Sequence, residues 1–595
     1  MIDSLRLMAL IPICFASVFL LAPLASLAGL IAGNPLAGVR YLGIKIPPEG
    51  ELLRVYELPG TKVVAFTGLD FGPTANTILL ALTVSSVTVL LAILSATACL
   101  GIGGKLRVFV GYVLPFLASV PTPFISAYAI THLFHREFGI LSRIVEYLIG
   151  YRVTFEGIAG VFVYQVLSLY PLSHLVLMTY IDLIDRNIVD AASNLGAKGT
   201  RVIKSIVIPL SKPAIIVSWT LTFVLSCEDL SGPVAFSRYN SARNLMAYIA
   251  YYDFISEYGY TVSMRSVTYV VVLSLMASTI FTAFWKNLRA YRYPVVSTRS
   301  TVVEIGRLKI VTTAITIVLQ AVSLLPKVVA IAYSITDGWY GYVTPRGLTL
   351  NNYVTVFTNA YYVRSLLNTV VYSTLSVALM MFIASISTYV SLRFGTILSP
   401  IIEALTALPI VIPGIAVGIG YFVMFHEAFK GIPLLDPLTN PAPYLVLAYA
   451  SRRITYAARP LSAAIQKISR NMEEQALNLG AGQGLVIRTI TLPLVSNAFI
   501  VATFLASIHS STEFSVSLVL AGGYGISASH PVPVVPVVVN MLTYNPASIH
   551  VASALLMSAV LISATVSVAL ALVMLKLVSG LKWGNLLSGL GLSGT

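Results

Sequence analysis

The chain has 595 residues, of which 57% are hydrophobic and 10% charged, with a mean hydropathy of +0.87. A soluble chain of this length carries about a quarter of its residues as charged side chains, so a soluble globular protein is excluded and most of the surface faces lipid. The net charge of +14 is spread over connections between apolar runs rather than gathered on one face; it reads as orientation charge, and no nucleic-acid partner is expected.

Apolar windows of about 20 residues, the length that crosses roughly 30 Å of hydrocarbon, fall near 8 to 32, 77 to 100, 108 to 133, 157 to 182, 206 to 226 and 266 to 285. The first is longer than a signal-peptide core and is expected to be retained as a span, since Gly33-Asn34-Pro35 is a poor cleavage site. A second set follows near 310 to 335, 366 to 392, 398 to 425, 443 to 465, 492 to 520 and 551 to 578. The expected fold is therefore an all-α polytopic membrane protein of about 12 transmembrane helices, arranged as two tandem six-helix repeats: 1–290, a basic linker 291–308, and 309–595.

From Lys286 to Lys309 the chain holds six Lys or Arg against one acid, Glu304, which by the positive-inside rule makes this connection cytoplasmic. Both termini and the segments 183–205 and 466–489 then lie inside, and 34–76, 134–156, 227–265, 336–365, 426–442 and 521–550 outside, in a multi-pass plasma or inner membrane protein. Cys14, Cys99 and Cys227 have no CxxC spacing, so neither a disulfide framework nor a zinc site is expected.

The two halves repeat. Residues 190–210 read DAASNLGAKGTRVIKSIVIPL and residues 474–494 read EQALNLGAGQGLVIRTITLPL, identical at 10 of 21 positions at an offset of 284. Asn76-Thr77 with Asn368-Thr369, and Pro121 with Pro413, repeat at an offset of 292. Two copies of one unit place a solute path at their interface. Within each copy, Asp190-Ala191-Ala192 and Glu474-Gln475-Ala476 begin a short helix with an acid near its N-terminus, and Leu195 and Leu479 lie on one side. Gly196 and Gly480 suit a left-handed C-terminal position, and Pro209 and Pro493 mark the join to the next span.

The spacing of acid, two Ala, three residues, Gly, nine residues, then Ile, a spacer, an aliphatic and Pro resembles that of the inner-membrane permease family of binding-protein-dependent ABC importers. Asp190 and Gln475 are mild departures from the usual Glu and Ala. The resemblance covers nearly the whole chain, including the Gly-Leu-Thr-Leu-Asn-Asn-Tyr segment at 347–353, and the fused two-half type is most similar to ferric-iron and thiamine permeases. It implies that each loop forms a coupling helix seated on a separate ATPase subunit, so that two ATPase subunits engage one chain, with an extracytoplasmic solute-binding protein on the other side. The chain itself is expected to be no enzyme and to need no cofactor, because the nearest fragment to a phosphate-binding loop, Gly103-Gly104-Lys105-Leu106, lacks the upstream Gly and the hydroxyl.

Few ionisable residues fall inside the spans, and each is costly there. Asp229 and Glu513 stand at equivalent positions, with His509 one turn before Glu513; together they suit passage of a cation, with oxygen and nitrogen ligands that fit a hard metal in transit. Arg452 and Arg453, equivalent to Ser168 and Leu169, favour an anionic solute instead, unless they snorkel to the interface or pair with Glu427 or Glu403. His132, His135, His426 and His530 read as interfacial rather than metal-binding, and the proline-rich 530–536 stretch as a supported outer loop. Ferric iron is the expected substrate, with thiamine or a small anion such as a phosphonate as alternatives. An ion-coupled secondary transporter leaves the paired loops unexplained, and a membrane enzyme lacks its catalytic set.

Overall fold

The computed structural model describes residues 2–33, 38–120, 123–197, 199–256, 263–290, 308–393, 398–522 and 532–579. The linker 291–307, Pro121 and His530 lie outside the described residues. Helices fall at each of the twelve expected positions, but fewer meet the length and apolarity a span requires. Among the described residues, seven do so as single helices: Met8–Ala32, Pro73–Cys99, Gly157–Ile181, Ile310–Ser334, Ala360–Arg393, Gln483–Ser511 and Pro546–Leu577. Three more are bent pairs, Gly104–Ser119 with Phe124–Leu133, Gly199–Leu210 with Lys212–Glu228, and Ser399–Ile410 with Gly414–Phe429, which brings the count to ten. The remaining two regions are less apolar or shorter. Ala442–Lys467 is a 26-residue helix carrying Arg452, Arg453 and Arg459, and the apolar part of the Met264–Ala290 helix ends at Ile280.

Two compact units emerge, and they cross the sequence halves. One comprises Met1–Asn34, Phe254–Ser263 and Asn351–Thr595; the other comprises Pro35–Asp253 and Met264–Leu350. The first span of each half thus packs with the other half's helices. In the unit containing Asn351–Thr595, Phe15 is buried with Val377, Met380, Ile454 and Leu461, beside Ala384, Ala450, Ala457, Ala502 and Ala506. In the other, Leu319 packs onto a core of Ala92, Ala96, Tyr170, Leu177 and Ile181. Alanine at these contacts lets helix backbones approach closely, the usual means of holding helices together where lipid supplies no hydrophobic drive.

Outside the spans, Leu53–Leu58 and Thr61–Phe66 form an antiparallel hairpin, and Arg152–Phe155 adds in parallel to the second strand. Asp70 closes this region onto the Pro73–Cys99 helix. Its carboxylate accepts from the Gly72 amide (2.9 Å), Asn76 Nδ2 (2.7 Å), Asn244 Nδ2 and Lys45 Nζ (3.2 Å). Burial alone raises its pKa, but these donors outweigh that and hold it below the ordinary carboxylate value.

Candidate functional site

The two repeated loops fold alike. Arg186–Asn194 is a nine-residue helix opened by Asp185, whose side chain accepts from the Asn187 amide at 2.9 Å. Arg470–Asn478 is its counterpart. Each ends through a left-handed glycine, Gly196 at φ 83° and Gly480 at φ 90°, with the same bonds behind it: Ala197 N to Ala192 O at 3.0 Å, and Ala481 N to Ala476 O at 3.1 Å. This closure satisfies carbonyls that the helix end leaves open. At the tip, Leu195 and Leu479 are each 89% exposed. An apolar side chain held so far into solvent at both copies stabilises nothing within the chain.

A second short helix follows, then a five-residue π-helical turn, Ile203–Val207 in one copy and Ile487–Thr491 in the other. Pro209 and Pro493 stand in the first turn beyond it, where a missing amide costs least. The copies then diverge. Gly199–Leu210 and Lys212–Glu228 meet at 64°, whereas Gln483–Ser511 runs on as a single span. Pro213 explains the difference: it has no amide to offer the carbonyl of residue 209, and the equivalent residue in the second copy is Asn497.

What seats each loop also differs. Val189 and Val202 bury in the core around Ala96 and Leu177. In the second copy the residue equivalent to Val189 is Glu473, which is buried, pairs with Arg393 Nε at 2.7 Å and accepts from Thr491 Oγ1 at 2.8 Å. Arg393 also donates to the carbonyls of Ile465 and Ile468 at 3.0 and 3.1 Å. Sequence reasoning passed over this ion pair, since only the neighbouring Glu474, exposed and paired with Arg470, stands in the repeated pattern. Of the other loop residues, Asp190, Ala191 and Pro209 are exposed, and Ala192, Ala476 and Pro493 are partly buried.

Of the charges singled out in the sequence, Arg452, Arg453 and Glu513 form one cluster, so the acid and the two bases meet rather than signal opposite solutes. Arg452 Nη1 donates to both oxygens of Glu513 at 2.8 and 2.9 Å, and Arg453 binds the same carboxylate, whose side chain is fully buried. The acid that pairs with both arginines is Glu513, where the sequence offered Glu427 and Glu403 as alternatives. His509 joins the edge of the cluster, its ring stacked on Tyr456 at 3.6 Å and its Nδ1 3.0 Å from the Leu505 carbonyl; the Arg453 guanidinium stands 5.8 Å from the Tyr456 ring. Ser399–Ile410 and Gly414–Phe429 meet at 103°, and Gly414 at the start of the second helix lies against Arg452. A Cβ on Gly414 would lie 2.8 Å from the Arg452 guanidinium carbon and 2.9 Å from Ser515 Cβ, so a larger residue there would force these neighbours to shift.

Asp229 belongs to the other unit and is satisfied differently. It accepts from the Ser231 and Gly232 amides at 3.0 and 3.1 Å and from Gln165 Nε2 at 3.0 Å, joining the Lys212–Glu228 helix to the Ser231–Ala235 turn. Among the histidines, His132 bonds the Tyr333 hydroxyl, His135 stacks on Phe138, and His426 Nδ1 lies 2.8 Å from Asp436. No group of three or more His, Cys, Asp or Glu able to hold a metal ion occurs among the described residues.

Residues 380–582, which include the second loop and the Arg–Glu cluster, match the family described as binding-protein-dependent transport system inner membrane component. This segment is therefore similar to the permease components of binding-protein-dependent importers. Over 419 residues, 69% of its length, it is 23% identical to the ferric transport system permease protein FbpB of Actinobacillus pleuropneumoniae, and equally to a putative ferric transport system permease protein FbpB 1 of Haemophilus influenzae. A shorter stretch of 123 residues, 20% of the chain, is 32% identical to the molybdenum transport system permease protein ModB of Escherichia coli K12 and spans 54% of it. The alignments span 59% and 64% of the two ferric permeases, less than two thirds of either.

Proposed function

We propose that the chain forms the solute path of an ABC importer and couples to two ATPase subunits through loops 183–205 and 466–489, which lie on the cytoplasmic side with both termini. The observation that carries this reading is the pair of loops with the same fold, each presenting one almost fully exposed leucine beyond a left-handed glycine. ATP hydrolysis belongs to the partners, and solute arrives from an extracytoplasmic binding protein. Ferric iron is the proposed substrate, supported by similarity to two ferric permeases along 69% of the chain. A small anionic solute is the second reading, favoured by the stretch shared with the molybdenum permease protein. Uptake into proteoliposomes containing the chain, its ATPase and its binding protein tests both: ATP-dependent accumulation of labelled ferric iron supports the first, and accumulation of an oxyanion without iron uptake supports the second.

A further inference from the structure

In the unit containing the second loop, three spans leave a lateral groove of about 500 Å³ between Ala360–Arg393, Leu492–Ser511 and Ile549–Ser579. Its walls are apolar: Val377, Met381, Phe499, Leu570 and Met574 line it, and exposed Phe382 flanks its opening. The hydroxyls along it are turned away from a ligand. Ser385 bonds the Met381 carbonyl at 2.6 Å, Thr503 bonds the Phe499 carbonyl at 2.9 Å, and Ser567 is shared between Ser507 and Thr374. On the longest wall the groove runs from Thr374 to Ile386, about 18 Å at the helical rise, close to the ~15 Å depth of one leaflet.

The end nearest the loop is basic. Ile487 lines the groove, and Arg488 follows it on the π-helical turn; that turn packs against Ile549–Ser579, where Lys576 follows the groove residue Leu575. Arg488 and Lys576 are both exposed. An apolar slot one leaflet deep with two cations at its interfacial end complements a molecule with a hydrocarbon chain and a negative head.

We propose that this groove binds an anionic phospholipid, with one acyl chain between the three spans and its headgroup at Arg488 and Lys576. The site touches the loop's own fastening, because Thr491 at the end of the same turn holds Glu473 at 2.8 Å. Occupancy therefore steadies the Arg470–Asn478 helix; this consequence rests on the coupling reading above, whereas lipid binding itself does not.

Native mass spectrometry of the full chain, incubated in mild detergent with equal phosphatidylglycerol and phosphatidylcholine, tests the proposal. The expected result is one retained lipid, phosphatidylglycerol over phosphatidylcholine by about 10- to 30-fold. R488Q/K576Q, at two exposed positions, is expected to abolish the preference while still retaining a lipid. A378W, on an exposed groove residue, is expected to lower retention of both lipids. Equal retention of the two lipids by the unaltered chain overturns the proposal, as does an unchanged preference in R488Q/K576Q, or a bound hydrophobic peptide in place of lipid. Loss of lipid binding would leave the ATPase partnership standing, because co-purification of the ATPase reads that separately.

Discussion

Replacing Leu195 and Leu479 by alanine separates a docking role from a structural one. Both side chains are 89% exposed, so truncation removes almost no buried surface from the isolated chain, and its thermal stability should change by less than about 0.5 kcal/mol per site. If each leucine buries in a cleft of an ATPase subunit, Leu→Ala withdraws three carbon groups at about 0.8 kcal/mol each, roughly 2 kcal/mol after incomplete burial. That weakens each contact about 30-fold, and the two sites should add because they meet separate subunits. Titration of the purified ATPase against the chain in nanodiscs measures the affinity, and a melting curve of the chain alone measures stability. Unchanged ATPase affinity in the double variant refutes the docking assignment. A large loss of stability would refute the claim that these leucines support nothing internal.

Gly196 and Gly480 test the same loops through the backbone. No atom lies within 4 Å of a Cβ at either site, so a substitution meets only the left-handed conformation, about 1–2 kcal/mol for a β-branched residue and less for asparagine. G196V/G480V should abolish ATP-dependent uptake while G196N/G480N retains most of it; equal activity of the two variants contradicts the turn's role. Glu513→Gln leaves the buried Arg452 and the partly buried Arg453 guanidinium groups with a neutral partner and should destabilise the chain by about 3–5 kcal/mol, read as a fall in melting temperature; an unchanged melt would show that the cluster is dispensable. Pro213→Ala restores an amide donor to the carbonyl of residue 209 and should straighten the 64° bend, measurable as a changed distance between spin labels on the Gly199–Leu210 and Lys212–Glu228 segments. Asp70 has a carboxyl pKa held below its unfolded value, so its contribution is present above the ordinary carboxylate range, about pH 4, and is lost as pH falls through the lowered value. Hydrogen exchange around the Pro73–Cys99 N-terminus should accelerate on acidification, with Asp70→Asn removing the pH dependence.

The helical plan was legible because bilayer thickness imposes a length that apolar windows reveal directly. The paired loops were legible because duplication left the same glycine and proline spacing twice. The divergence at Pro213 was also present in the sequence, as one proline without a counterpart, but its effect depends on the carbonyl four residues back. The hairpin at Leu53–Phe66, with Pro59-Gly60 between two β-rich runs, could have been read from turn chemistry. Long-range partnerships could not. Arg452 and Arg453 are 60 and more residues from Glu513, and sequence proximity favoured the nearer acids Glu427 and Glu403. Equally, no local pattern shows that Met8–Ala32 packs with helices more than 340 residues away, since its face is apolar toward protein and lipid alike.

The central claim is that two ATPase subunits act on this one chain. Purification of the native complex in mild detergent, with the stoichiometry of its subunits determined by mass spectrometry, tests it most directly. Two ATPase copies per chain are expected, both lost in L195A/L479A. Recovery of the unaltered chain without an ATPase, together with solute uptake driven by an ion gradient in the absence of ATP, would contradict it.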